Sequence, residues 1–172
     1  TNPLVYGVPV FIAFILLELT YSKTHDHEKH DLYNWKDLAA SGFMGIGSAI
    51  LGPLFKVAFA ILLFEGTYEL FNPLVDGVRT NIMGYASFGY AWYVWILCQL
   101  GDDFTYYWFH RANHEVRILW AAHIVHHSSD NFNLGTAIRN GWFTILYKPF
   151  FYMWLPAIGF PPEMVVVCLG IE

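Results

Sequence analysis

The chain has 172 residues, of which 56% are hydrophobic, 19% aromatic and only 13% charged, and its formal net charge is -5. Because a soluble globular domain carries about 25% charged residues, this composition indicates a membrane protein. No basic stripe indicates a nucleic acid partner, and the length suits a single domain.

The apolar segments predict where helices lie along the chain. A helix that crosses a membrane needs about 20 mostly apolar residues. Four apolar segments are near that length or longer, at residues 3–19, 39–64, 85–101 and 142–160. The second contains Pro53 and Lys56, so it is either a kinked span or an interfacial helix that leads into a span. The fourth is interrupted by Pro149 and Pro156.

Polar segments separate these apolar runs. Residues 65–81 are predicted to be a loop with turns at Asn72-Pro73 and Asp76-Gly77, and Pro161 and Pro162 open a last helix. Lysine and arginine are concentrated in residues 20–38 and 102–141, which predicts that this side faces the cytoplasm. The predicted fold class is therefore all-α, an integral membrane, multi-pass helical bundle that forms one membrane domain over residues 1–172. Cys98 and Cys168 lie in apolar runs and are interpreted as reduced packing residues.

Five histidines fall within residues 110–127, HRANHEVRILWAAHIVHH. His110 and His114 are four residues apart, and His123, His126 and His127 stand at i, i+3 and i+4, so each group is predicted to share one helix face. Two such faces can converge on a metal in a helical bundle, and imidazole suits zinc, copper, iron or nickel. Buried core histidines and bis-histidine haem ligation are the alternatives.

The segment DDFTYYWFHRANHEVRILWAAHIVHHSSDNFNLGTAIRN resembles the fatty acid hydroxylase/sterol desaturase superfamily of integral membrane di-iron enzymes. The likeness is greatest to its alkylglycerol monooxygenase-like and bacterial sterol desaturase-like members. The resemblance implies two Fe ions held by three histidine boxes on the cytosolic side, with O2 as co-substrate. It makes His110 and His114 the first box, and His123, His126 and His127 the second.

The resemblance also carries expectations about the rest of the protein. The third box follows later in that family, so the chain, which stops at LGIE inside an apolar helical pattern, is predicted to be a fragment lacking it. The implied partners are a membrane lipid substrate and an electron donor protein or other reductant. Alkylglycerol monooxygenases use a tetrahydropterin, but no residue here is tied to one.

Further residues are candidates for supporting roles. Asp103 precedes His110 by seven residues, on the same helix face, and is expected to accept a hydrogen bond from a liganding histidine or to bind metal. A helix-end charge is the alternative for Asp103, and the neighbouring Asp102 is expected to be solvated. Glu115 is expected either beside the ligands or at the surface.

Arg111 and Arg139 are expected to pair with carboxylates near the site or with lipid phosphate. The candidates for lining a substrate pocket are Tyr107, Trp108, Trp120, Asn133 and Thr136. Packing at a membrane interface is the alternative for the aromatic members of that set. A separate cluster, His25, His27 and His30 in HDHEKH, is interpreted as part of a solvated loop rather than a second metal site.

These observations predict a membrane-bound di-iron oxygenase that hydroxylates or desaturates a lipid with O2 and external electrons. A non-catalytic membrane subunit that retains the hydroxylase fold within a larger assembly is the alternative. A zinc hydrolase is a third interpretation, but HRANH has Arg111 where the HExxH motif needs its glutamate.

Overall fold

The computed structural model describes residues 4–25, 33–131 and 133–170. Most of these residues are helical, and the helices are α1 (Leu4–His25), α2 (Trp35–Phe71), α3 (Trp92–Glu115), α4 (Arg117–His123), α5 (Thr144–Tyr152), α6 (Trp154–Ala157) and α7 (Pro162–Leu169). A 3₁₀ helix covers Leu134–Ile138, and two short strands, β1 (Leu74–Val75) and β2 (Val78–Arg79), form a hairpin. The helical class predicted from the sequence is confirmed, with this hairpin as an addition.

The apolar segments predicted where helices occur, but they did not predict where several of these helices end. The helix α1 continues through polar residues to His25, α2 runs on to Phe71 where a loop was predicted, and α3 joins the third apolar run to the first histidine pair. Charged and polar residues such as Glu, Lys and Gln are good helix formers, so the end of an apolar run does not end a helix. Within the ranges that the structure describes, no helix is both long enough and apolar enough to cross a membrane. The predicted spans are therefore not confirmed.

The hairpin reverses at Asp76-Gly77, one of the two turns predicted from the sequence. Asp76 and Gly77 both have positive φ, at 49° and 82°, as a two-residue turn of type I′ requires. Asp tolerates this region better than most residues and Gly enters it freely, which explains the Asp-Gly pair. The flanking residues pair in antiparallel register, Leu74 with Arg79 and Val75 with Val78.

The chain divides into two compact units. The first comprises residues 1–49 and 123–142, and the second comprises residues 50–122 and 143–172. In the first unit α1 packs against the 3₁₀ helix, where the Glu18 carboxylate accepts hydrogen bonds from the Leu134 amide at 2.9 Å and from the Tyr33 hydroxyl. Gly47 in α2 allows the close approach of Trp142, whose indole nitrogen donates to the Met44 carbonyl at 3.1 Å.

The second unit has its core where α3 packs against α7 and α5. The buried residues are Ala60, Phe64, Val94, Cys98, Tyr152, Leu155, Phe160, Met164, Val165 and Cys168. Both cysteines are buried and free, which confirms their interpretation as packing thiols. Pro162 occupies the first turn of α7, as predicted. The fourth apolar segment forms two short helices, α5 and α6, rather than one.

Some predictions concern residues that lie outside the described ranges. They are the start of the first apolar segment at Pro3, the helical pattern at Ile171 and Glu172, and most of the HDHEKH cluster. His27 and His30 belong to that cluster, and the His25 side chain is likewise outside the description.

Candidate metal centre

The first histidine pair stands at the end of α3. His110 and His114 are one helical turn apart, and their Nε2 atoms lie 3.1 Å from each other. The helix ends just beyond them because Val116 adopts an extended backbone, with φ -97° and ψ 115°. The ring of Trp120 in α4 lies against His114 at 5.4 Å between centroids, and Tyr106 lies against His110 at 5.7 Å.

The second pair lies where α4 ends. His123 is the last residue of α4, and the next residues form turns in which the His126 amide donates to the His123 carbonyl and the His127 amide to that of Ile124. These bonds span three residues instead of the four of an α-helix. The Nε2 atoms of His123 and His127 are nevertheless 3.2 Å apart.

Both nitrogen–nitrogen distances fit chelation of a metal ion. With metal–nitrogen bonds of about 2.1 Å, two imidazole nitrogens that bind one ion at roughly a right angle lie about 3.0 Å apart. The pairs, at 3.1 Å and 3.2 Å, are close to that value. Neutral imidazole is a suitable donor for iron, zinc and copper, so each pair alone provides two ligands for such an ion.

The α-helix does not extend over all three histidines of the second group, which corrects the expectation of one helix face from the i, i+3, i+4 spacing of His123, His126 and His127. The α-helix stops at His123, so helical geometry does not extend over the following residues. The Nδ1 atom of His126 lies 3.2 Å from the main-chain carbonyl oxygen of Arg139. The rings remain neighbours, with 5.0 Å between the centroids of His126 and His127.

The expectation that Asp102 is solvated is wrong. Asp102 is fully buried, whereas Asp103 is exposed and accepts a hydrogen bond from Gln99 Nε2 at 3.2 Å. The reason is helical phase, because Asp102 falls on the buried face of α3 with Val94, Cys98, Thr105, Phe109 and Asn113. The role of Asp103 toward a histidine stays a prediction.

Glu115 lies at the surface. Its carboxylate pairs with Arg111 Nε at 2.8 Å, and both side chains are exposed. Arg111 also donates to the Tyr107 hydroxyl at 3.3 Å and lies over the ring of Trp108. Tyr107 and Trp108 are exposed and Trp120 is half-buried, and their substrate-lining role stays a prediction.

Arg139 is buried and holds several parts of the first unit together. Its guanidinium donates to the Asp37 carboxylate at 2.5 Å, the Asp37 carbonyl at 2.8 Å, Ser41 Oγ at 3.1 Å and Ser128 Oγ at 3.0 Å. Pairing of Arg139 with a carboxylate was expected, but sequence reasoning did not single out Asp37. Burial disfavours the charged form of Asp37, yet hydrogen bonds from Ser129 and Arg139 outweigh it and hold the pKa of that carboxyl below its ordinary value.

Asn133 and Thr136 use their polar groups in the 3₁₀ helix itself. The Asn133 side chain accepts a hydrogen bond from the Thr136 amide at 3.2 Å, and the Thr136 hydroxyl donates to the Asn133 carbonyl at 2.7 Å. Both residues are buried. Through these contacts the two residues cap the start of the 3₁₀ helix. Their role in lining a substrate pocket stays a prediction.

Asn113, which immediately precedes His114, is another residue that sequence reasoning missed. It is fully buried in α3, and its Oδ1 accepts a hydrogen bond from the Tyr147 hydroxyl of α5 at 2.6 Å. The contact fixes the end of α3, which carries His110 and His114, against α5. The available signal was its phase, four residues after the buried Phe109.

Comparison with known proteins identifies the family. Residues 94–172 match the family described as fatty acid hydroxylase. An alkylglycerol monooxygenase of Homo sapiens is 44% identical over 166 residues, which cover 95% of this chain and 33% of that protein. The chain belongs to the fatty acid hydroxylase family. The segment matched to the fatty acid hydroxylase family contains all five histidines of residues 110–127.

Two further alkylglycerol monooxygenases are similar over shorter stretches. The protein of Xenopus tropicalis is 47% identical over 75 residues, which cover 44% of this chain and 17% of the relative. The protein of Danio rerio is 48% identical over 77 residues, which cover 45% of this chain and 17% of that relative. The chain therefore spans at most a third of the length of these three relatives. No solved structure matches the chain.

Proposed function

We propose that the chain belongs to a metal-dependent oxygenase that hydroxylates a lipid. One observation carries the proposal: two histidine pairs with chelating distances of 3.1 Å and 3.2 Å lie inside the segment matched to the fatty acid hydroxylase family. The similar proteins are named alkylglycerol monooxygenases, so the proposed substrate class is the alkylglycerols, which are ether lipids.

The metal ligands in this proposal are two separate pairs, His110 with His114 and His123 with His127, each of which offers two imidazole nitrogens at a chelating distance. His126 is proposed as a further ligand, and two Fe ions are proposed because the resemblance to membrane di-iron enzymes implies them. Bound iron would supply the activation of O2 that no amino acid side chain performs. The protein's task is then to hold the imidazole rings in place and to bring the lipid to them.

The chain has groups suited to that task. Trp120 packs on the His114 ring, and burial of His123 shields one ligand from water, which a reaction with activated oxygen requires. Hydroxylation inserts one atom of O2 into a C–H bond, and the other leaves as water after two electrons and two protons arrive from outside. We assign the supply of electrons to a separate donor protein or reductant, for which a tetrahydropterin is one candidate.

A location at a membrane is part of the proposal. The support is the 56% hydrophobic composition and the exposed apolar side chains along α3, including Trp92, Leu100 and Phe104. A protein that acts on a lipid needs access to the phase in which that lipid dissolves. The distribution of lysine and arginine assigns the histidine side to the cytoplasm in this proposal.

The test is metal content and turnover of the protein purified in detergent in its full natural length. After anaerobic loading with Fe(II), elemental mass spectrometry should find iron in the wild type, and His123→Ala should lose most of it. His30→Ala is the control, because it removes a histidine outside residues 110–127. With alkylglycerol, O2 and a reduced tetrahydropterin, the product should contain one added oxygen atom.

Two outcomes would contradict the proposal. A wild type that binds no stoichiometric iron after loading would rule out the metal centre. Iron binding without oxygen insertion into alkylglycerol or other lipids would favour the alternative, a non-catalytic subunit of a larger assembly.

A further inference from the structure

The first turn of α2 is linked to the segment that follows the second histidine pair. Asp37 uses both carboxylate oxygens: Oδ1 accepts from Arg139 Nη2 and Oδ2 from Ser129 Oγ, each at 2.5 Å. Ser129 begins and Arg139 ends a segment of eleven residues that starts two positions after His127. Asp37 therefore fixes both ends of this segment to one helix.

The guanidinium of Arg139 is held from several directions. Beyond the Asp37 carboxylate, it donates to the Asp37 carbonyl, to Ser41 and to Ser128, and its side chain is only 5% exposed. Arg139 itself follows the 3₁₀ helix, with φ -80° and ψ 83° outside helical geometry. The Arg139 amide donates to the Thr136 carbonyl and the Asn140 amide to the Ile138 carbonyl, each at 3.0 Å, so these main-chain bonds and the anchored side chain together set the orientation of the Arg139 carbonyl.

The main chain of Arg139 in turn contacts a candidate metal ligand. Its carbonyl oxygen is 3.2 Å from His126 Nδ1. A carbonyl oxygen can only accept a hydrogen bond, so this contact is a hydrogen bond only when Nδ1 carries the proton. In a neutral ring the lone pair then resides on Nε2, which is the form that can bind a metal through Nε2.

We infer that Asp37 is a positioning residue: by anchoring Arg139 it holds the carbonyl that keeps His126 as the Nδ1–H tautomer, with Nε2 presented as the ligand atom. This inference rests on the proposed function for its purpose, because the orientation of His126 matters only at a metal centre. The relation is contained in one compact unit, since Asp37, His126 and Arg139 all belong to the first.

The first experiment reads the tautomer and needs no metal. The full-length protein is labelled with 15N-histidine, and two-bond 1H–15N correlation spectra are recorded for wild type and Asp37→Asn, with His126→Gln to assign the resonance. The wild type should show His126 as the Nδ1–H form, and Asp37→Asn should show a mixture of tautomers. Asp130→Asn is the matched control, because Asp130 is an exposed acidic residue that lines the same cavity as Asp37 and Arg139.

The second experiment measures Co(II) affinity by competition with a chelator. Loss of an outer hydrogen-bonding partner typically costs 10–100-fold in metal affinity, and we expect about tenfold for Asp37→Asn. Ser41→Ala, which removes one of the Arg139 contacts and keeps the ion pair, should give a smaller loss in the same direction. It also keeps the test valid if Asp37→Asn does not fold.

The outcomes separate this inference from the proposed function. Unchanged tautomer and unchanged Co(II) affinity in both folded variants would overturn the role of Asp37, whether or not the wild type is an oxygenase. A tautomer change in Asp37→Asn, together with a wild type that binds no metal, would instead overturn the proposed function and leave the hydrogen-bond relation standing.

Discussion

The Nε2 atoms of His123 and His127 lie 3.2 Å apart although the α-helix that carries His123 ends at that residue. The turn that follows brings His127 back beside His123, with the His127 amide bonded to the Ile124 carbonyl at 3.0 Å. The pair therefore depends on local main-chain hydrogen bonds and not on a continuous helix. His127 is exposed and can be changed with little effect on packing, whereas His123 is buried.

Removal of His127 should abolish chelation by the second pair while the protein stays folded. His127 is exposed, so His127→Gln loses little packing, and the ring nitrogen beside His123 disappears. We expect the metal content per chain to fall by more than half, measured by elemental mass spectrometry. His30→Gln should retain the wild-type content, and full metal binding by His127→Gln would show that this ring is not a ligand.

Replacement of Gly47 by alanine should destabilise the protein. A Cβ atom at this position would lie 2.3 Å from Cζ2 of Trp142, too close for any real contact. Overpacking of this kind typically costs about 1–3 kcal/mol. The measurement is the free energy of unfolding in urea, followed by tryptophan fluorescence.

Gly42 provides the matched control, since it also lies in α2 and a Cβ there would meet nothing within 4 Å. Gly42→Ala should be neutral or stabilising by about 0.5–1 kcal/mol, because alanine favours helix. Equal destabilisation by the two changes would mean that Trp142 does not pack where the structure has it.

The Asp37 ion pair should make stability depend on pH in the acid range. The pKa of Asp37 is lowered in the folded state, because the hydrogen bonds from Ser129 and Arg139 outweigh the opposing effect of burial. A lowered pKa means that the carboxylate contributes stability above the unfolded pKa and loses that contribution as pH falls through the folded pKa. The difference in urea unfolding between wild type and Asp37→Asn should therefore be full above about pH 5 and should shrink progressively as the pH falls below about 4.

Asp130→Asn serves as the reference for general charge effects in that titration. A wild-type advantage over Asp37→Asn that grows as the solution becomes more acidic would contradict the assigned direction of the pKa.

Loss of the Tyr147 hydroxyl should weaken the junction between α3 and α5. Tyr147→Phe removes the 2.6 Å hydrogen bond to Asn113 Oδ1 and leaves a buried amide oxygen without that donor. An unsatisfied buried polar group costs about 1–3 kcal/mol, which should appear as a lower free energy of unfolding. Tyr85→Phe, at a position that is 72% exposed, should change little. A Tyr147→Phe protein as stable as wild type would show that the contact contributes nothing.

Local spacing was sufficient to predict some of these features. The i, i+4 separation placed His110 and His114 on one face of a helix, and Asp76-Gly77 marked a turn because both positions tolerate positive φ. Each prediction concerns residues within one turn of each other, where backbone geometry alone decides the outcome.

Relations between distant segments were not predictable from one sequence. Asp37 and Arg139 are 102 residues apart, and nothing near either residue identifies the other. The burial of Asp102 was missed for a different reason: the two adjacent aspartates have the same chemistry and differ only in their phase on α3. The end of α4 at His123 was also missed, since IVHH contains no proline or glycine to mark it.

The continuity of α3 has a further consequence. At a rise of about 1.5 Å per residue, the twelve residues from Cys98 to His110 span roughly 18 Å. Cys98 is buried in the core of the second unit, and His110 and His114 stand farther along the same helix. Substitutions around Cys98 should change how many molecules are folded, while the metal affinity of each folded molecule stays nearly constant. Under the proposed function, the amount of folded protein and the metal affinity of each folded molecule would therefore vary independently.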